Sequence, residues 1–156
     1  MASRVAVMNG GGLVQVGSPV EIYERPNSRF VADFVGAMNL FDGTLVAGFN
    51  ALALSVPGFD APIPLVETID LPEGAAIALA VRPEKLRLSD ERPAGIALVA
   101  SVASIGYQGG VSIVHLTTVS GQALKAQMSS DAAAQYPRGL PVWVGWDPHD
   151  AVLIAK

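Results

Sequence analysis

Residues 97–128 read ALVASVASIGYQGGVSIVHLTTVSGQALKAQM, and the reading of this stretch decides the fold class. Apolar residues alternate with small or polar ones over Ala97–Ile105, Val111–Val119 and Ala123–Met128. That period of two belongs to β-strands, whose successive side chains point to opposite faces. Gly109-Gly110 and Ser120-Gly121 stand between the runs and read as turns. Working outward, the same period recurs upstream over Phe41–Val46, Ala51–Val56, Ala76–Arg82 and Leu86–Ser89. It recurs downstream over Val142–Trp146 and Val152–Ile154. Short strands at regular spacing, separated by Gly, Pro, Asn and Asp, predict a sandwich or small barrel. Ser130–Tyr136 is expected to form one helical turn, stopped by Pro137 and Gly139. Ala97–Ile105 shows only Ala and Ser on its polar side, which predicts that its second face is covered too, by a neighbouring subunit or by the chain's other sheet.

The first 36 residues follow another pattern. Arg4–Met8 and Leu13–Val16 read as two short strands, joined by Asn9-Gly10-Gly11-Gly12 into a hairpin. Ser18-Pro19-Val20-Glu21 then announces a helix, because serine caps it, proline suits its first position and glutamate completes a capping box. Pro26 ends that helix. A second helix starts near Ser28, with Phe30, Val31, Phe34 and Val35 as its expected apolar stripe and Gly36 as its C-terminal stop. The chain is therefore expected to divide near Ala37, into a β-α-α lead-in over residues 1–36 and an all-β body over residues 37–156.

Composition narrows the function. The sequence is 51% hydrophobic and only 15% charged, against about 25% charged in an ordinary soluble domain. Disorder is excluded by that balance. Either the core is large for 156 residues, or apolar surface meets a partner. No membrane span accounts for it, since the charge-free stretch Ala94–Leu124 is broken by Ser101, Ser104, Gly106, Gln108 and Gly109-Gly110. The N-terminus is too short and too alternating for a signal peptide. Without cysteine there is no disulfide framework or thiolate chemistry. A net charge of −4 disfavours nucleic acid, and Arg82, Lys85, Arg87 and Arg92 interleave with Glu84, Asp90 and Glu91 as on a solvated turn.

Motifs for chemistry are absent from the residues. Asn9–Gly12 is not followed by the Lys-Ser or Lys-Thr of a phosphate loop, so it reads as a turn. His115 lies mid-strand, as a packed or surface residue rather than a ligand. Asp147-Pro148-His149-Asp150 is better explained as a turn than as a metal site, with no second ligand cluster to complete it. No nucleophile elbow or cysteine–histidine pair exists. No catalytic, cofactor or metal-binding residue is expected. Trp143 and Trp146, three apart in one strand, are expected to face opposite ways, one in the core and the other at an edge or interface. The plainer alternative makes both partly buried core residues.

Ser3 to Asn39, SRVAVMNGGGLVQVGSPVEIYERPNSRFVADFVGAMN, is similar nearly throughout to a segment of the ATP-binding subunits of bacterial ABC importers, the one just after their switch histidine. Arg4–Met8, Gln15-Val16-Gly17, Pro19 with Glu21-Ile22-Tyr23, Pro26, and Phe30–Gly36 with Asn39 carry the likeness. Downstream, Arg82-Pro83-Glu84 with Leu86-Arg87-Leu88 resembles the signature of the TOBE-type regulatory domain in the spermidine/putrescine branch. Ile105-Gly106-Tyr107, Gly121 with Leu124, and Gly139 with Val142 and Trp146 resemble its later landmarks. The triple glycine after Asn9 departs from the family's usual single glycine and reads as a tolerated turn.

The resemblance implies an OB-like (TOBE) β-barrel regulatory domain. It implies Gly36, Asn39, Arg82, Pro83, Glu84 and Gly106 as structural signature residues, and Trp143 or Trp146 at an interface. In this family the domain packs against its twin in an ATPase dimer that serves membrane permease subunits, at the inner face of the cytoplasmic membrane. Walker A, the Gln loop, the signature motif, Walker B and the switch histidine would precede residue 1 and do not occur in the sequence. The chain as given is therefore expected not to hydrolyse ATP, and ATP and Mg would bind upstream. Phe34–Asn39 with Phe41 leans toward polyamine import. The alternative is a small-ligand or oxyanion-sensing module of a phosphonate, iron or sugar importer. Ser101, Ser104, Ser112 and Gly109-Gly110 could then supply neutral donors.

Overall fold

The computed structural model describes residues 3–36, 38–48, 51–67 and 69–154, so the expected boundary residue Ala37 lies outside the described residues. The chain opens with a hairpin, β1 (Val5–Asn9) and β2 (Gly12–Gly17), whose turn places Gly10 and Gly11 at φ +57° and +82°. Side chains rarely adopt that left-handed region, which accounts for glycines there. Helix α1 (Pro19–Glu24) is capped as expected, with Ser18 Oγ accepting from the Glu21 N–H. Helix α2 (Arg29–Phe34) is capped by Ser28 in the same way. Val7, Ile22 and Val31 are buried together and give this lead-in a small core of its own.

The body is antiparallel throughout. In chain order it contains β3 (Asn39–Ala47), β4 (Leu52–Ser55), β5 (Ile63–Pro64), β6 (Ala76–Val81), β7 (Arg87–Ser89), β8 (Leu98–Gln108), β9 (Val111–Thr118), β10 (Ala123–Ser129), the single turn α3 (Ser130–Ala133), β11 (Pro141–Gly145) and β12 (Ala151–Ile154). One five-stranded sheet runs β10-β9-β8-β11-β7 and the other β12-β6-β3-β4-β5. Their inner faces share a core that includes Phe41, Leu45, Leu54, Leu79, Leu116, Leu124, Val144 and Trp146. Ile63–Pro64 is the strand that alternation did not reveal, since two residues cannot display a period.

The two sheets are tied at one seam by Asn39. Its Oδ1 accepts from the Lys125 N–H at 2.8 Å, and its Nδ2 donates to the carbonyls of Lys125 and Val81 at 2.9 and 3.2 Å. Gln122 Nε2 donates to the Leu40 carbonyl beside it. These bonds join β3 to the edge strand β10 and draw the curled sheets into a half-barrel. Unpaired strand edges are costly when buried, and a side-chain amide supplies both a donor and an acceptor to one.

Two expectations about faces need correction. The second face of β8 is not covered by the other sheet, because Ser101, Ala103 and Ser104 are exposed. The doubly covered strand is β6, buried from Ile77 to Val81. Its Ile77, Leu79 and Val81 enter the main core, while Ala78 and Ala80 pack with Ala32 of α2 and Ile154. Alanines on that outer side let the helix approach closely. The stripe expected on α2 is rotated as well. Val31 and Ala32 point inward, whereas Phe30 and Phe34 stack on each other at the surface, with ring centroids 6.3 Å apart.

Candidate functional site

Arg82 follows β6 directly and is the most deeply buried charged side chain among the described residues, at 5% exposure. Pro83 follows as the first residue of a single 3₁₀ turn, Pro83–Lys85, which turns the chain from one sheet toward the other. Arg82 reaches out of the barrel to the lead-in. Its guanidinium lies over the Tyr23 ring, 3.7 Å from the centroid, and Nη2 donates to the Tyr23 carbonyl at the end of α1. Tyr23 answers by donating its hydroxyl to Glu84 Oε1 at 3.0 Å. The Arg-Pro-Glu signature is thus one half of a latch whose other half is Tyr23. Cation–π contact and charge-assisted hydrogen bonding act together there.

The latch shows in the phenol's titration. Partial burial raises Tyr23 above the usual tyrosine range, and the hydrogen bond to Glu84 and its negative charge push the same way. The Arg82 charge opposes them. Arg82 Nε is buried without a hydrogen-bond partner among the described residues.

Beside the latch is an open cleft of about 380 Å³, walled on one side by the lead-in and on the other by the outer faces of β8, β9 and β10. Strand register sets its far wall. Ser104, His115 and Lys125 form one row across the three strands, and Gly106, Ile113 and Gln127 form the next. Of the expected signature residues, the cleft brings together Gly36, Arg82, Pro83, Glu84 and Gly106, while Asn39 works at the seam behind it. Gly36 follows α2 at φ +132°, 3.7 Å from Arg82 Nη1 to where a Cβ would stand. Gly106 has no such demand, since a Cβ there would meet nothing nearer than the Ile113 carbonyl at 4.0 Å. Sequence reading missed Tyr23 as a partner of the signature, and it missed the meeting of His115 with Lys125.

The tryptophans divide as one core and one outer residue. Trp146, just beyond β11, is buried against Phe41 and Phe59, at 4.9 and 5.7 Å between ring centroids. Its Nε1 finds no acceptor among the described residues. Trp143 is half-buried on the outer face beside Val99, with Arg92 5.8 Å from its ring centroid and paired in turn to Asp60. Asp147 caps the turn before β12, accepting from the His149 N–H at 2.9 Å. That backbone bond, more than the bond to the His149 ring, holds its carboxyl below the usual range. Among the described residues no group of three His, Cys, Asp or Glu side chains is placed to hold a metal. Among them, too, no helix is long and apolar enough to cross a membrane.

Residues 79–154, from β6 to β12, match the model of the TOBE domain. The fold agrees: the cytoplasmic molybdate-binding protein ModG superposes with a TM-score of 0.62 at 19% identity, over 76% of this chain and 96% of that one. Its OB-like architecture is the one seen here. The putrescine transport ATP-binding protein PotG of Escherichia coli is 38% identical over 146 residues, 92% of this chain and 38% of that protein. The spermidine/putrescine import protein PotA of Acidothermus cellulolyticus is 36% identical over 95% of the chain. The xylose/arabinose import protein XacK of Haloferax volcanii is 37% identical over 78%. The chain spans roughly two fifths of the length of the first two relatives. Residues 79–154 thus carry a TOBE domain, and the chain is similar over most of its length to the ATP-binding proteins of importers.

Proposed function

We infer that this chain acts as the regulatory and dimerising domain of an importer's ATP-binding subunit, in the polyamine branch. In this reading residues 1–36 close off an ATPase domain and residues 37–156 form the barrel that steadies two subunits against each other. The carrying observation is the distribution of apolar surface. Met8, Leu13, Val16, Val20, Phe30 and Phe34 are all exposed on the lead-in, Val20 at 69% and Phe34 at 66%. Exposed apolar residues concentrated on one small element mark a surface made to be covered. An ATPase body is the cover that the related import proteins suggest.

Dimerisation finds its support on the barrel. The outer face of β8 is exposed at Ser101 and Ala103, and Val99 and Trp143 continue it onto β11 with no charged side chain in the strand. Small neutral residues of β8 on one side of this tryptophan and the Arg92–Asp60 pair against its ring suit a subunit contact. ATP hydrolysis is assigned to the nucleotide-binding region of a complete subunit, since phosphoryl transfer needs a phosphate cradle, a metal site and a positioned water. Permease subunits would be met through that region, at the inner face of the cytoplasmic membrane.

Sedimentation velocity on the chain tests the dimer. A dimer that Ser101→Arg converts to monomer is expected, because a charge would then enter a neutral contact. A strict monomer at high concentration contradicts it. An ATPase assay on the same sample is expected to show no turnover, and hydrolysis dependent on Mg²⁺ would overturn the assignment of catalysis elsewhere.

A further inference from the structure

The cleft beside the latch has a charge balance opposite to that of the whole molecule. The chain carries −4 overall, yet Arg82 and Lys125 both line this cleft. Neither is held by a carboxylate among the described residues. The one acidic lining residue, Glu84, keeps its negative charge while accepting the Tyr23 hydroxyl, so the two cations outnumber it. His115 stands directly opposite Lys125 in the register, and Gln108 and Gln127 add neutral donors around them. Arg82 is more than nine-tenths buried, lines the same cleft and is held by the Tyr23 carbonyl and ring.

Cations in excess of carboxylates along a concave site attract an anion, and amide donors then fix its orientation. We propose that this cleft binds a small polyanion, a molecule carrying two or more carboxylate or phosphate groups, between Lys125, His115 and the two glutamines. This goes beyond the dimerising role. It also means that a polyamine, being a polycation, is not the ligand of this cleft.

Isothermal titration calorimetry at fixed ionic strength tests this with citrate, inorganic pyrophosphate and spermidine. Saturable binding of citrate or of pyrophosphate is expected, the stronger of the two telling a polycarboxylate site from a phosphate site. Lys125→Ala should weaken it by about tenfold or more, as loss of a charge-assisted bond does. That variant keeps the fold, because only the backbone of Lys125 takes part in the seam. Gln127→Glu, which places a carboxylate in the cleft, should weaken binding as well. Absence of saturable binding by either anion, equal binding in the two variants, or binding of spermidine instead would overturn the proposal.

Discussion

At the residue scale, two polar side chains hold together parts of the chain that lie far apart in sequence. Arg82 ties β6 to Tyr23, 59 residues away. Arg82→Ala leaves the Tyr23 carbonyl without its donor and empties a packed site, so denaturant unfolding should show a loss of about 2–3 kcal/mol. Asn39→Leu removes two bonds across the β3–β10 seam and a third to the Val81 carbonyl of β6, and strands the Lys125 backbone groups, with a similar expected cost of about 2–3 kcal/mol. The Tyr23 phenol gives a pH signature. Its folded pKa lies above the unfolded value, so its contribution to stability is complete below the ordinary tyrosine value of 10.0 and is lost as pH rises through the higher folded pKa. Spectrophotometric titration should find Tyr23 shifted up, and Glu84→Gln should bring it back toward the ordinary range. Arg82, Pro83 and Glu84 were legible as a signature, but their partner was not. A contact across 59 residues leaves no trace in local periodicity.

At the scale of elements, local chemistry carried most of the reading and tertiary packing the rest. Caps at Ser18 and Ser28 and the run of alternating strands follow from side-chain pattern and turn residues alone. The misreadings share a cause. On α2 the large residues Phe30 and Phe34 suggest the buried stripe, but the space over β6 is narrow and takes Ala32 instead. On β8 a face of Ala and Ser suggests cover; within the chain the cover lies over β6 instead, which leaves a second subunit, the other cover the sequence allowed. Size and polarity show which side chains are able to be buried, whereas the neighbour's shape decides which are. Gly36→Ala forces a side chain into a backbone conformation that only glycine adopts readily, at the junction of α2 with the barrel. It should cost roughly 1–3 kcal/mol and show as a lowered thermal midpoint. Phe34→Ser, by contrast, should leave the stability of the chain within about 0.5 kcal/mol, since the ring is exposed here.

At the scale of the whole molecule, the architecture is a half-barrel with a separate small core clamped to its outer side. The lead-in shares α2 with the face of β6 and the latch with the end of that strand, so its orientation is transmitted to the barrel at two points. Surface ion pairs such as Arg25–Glu67 and Arg29–Asp42 add contacts along the same junction, each worth at most about 1 kcal/mol. Under the proposed function, a body built in this way follows the movements of an attached ATPase and passes them to a second subunit. The measurement that tests this most directly is transport by a chimera. The Escherichia coli PotG protein, with the residues matched by this chain exchanged for it, would be expressed in cells lacking PotG. Restored putrescine uptake, reduced by Arg82→Ala while the chimera's own abundance is unchanged, is the predicted result. A chimera that accumulates and hydrolyses ATP yet transports no putrescine would contradict the account.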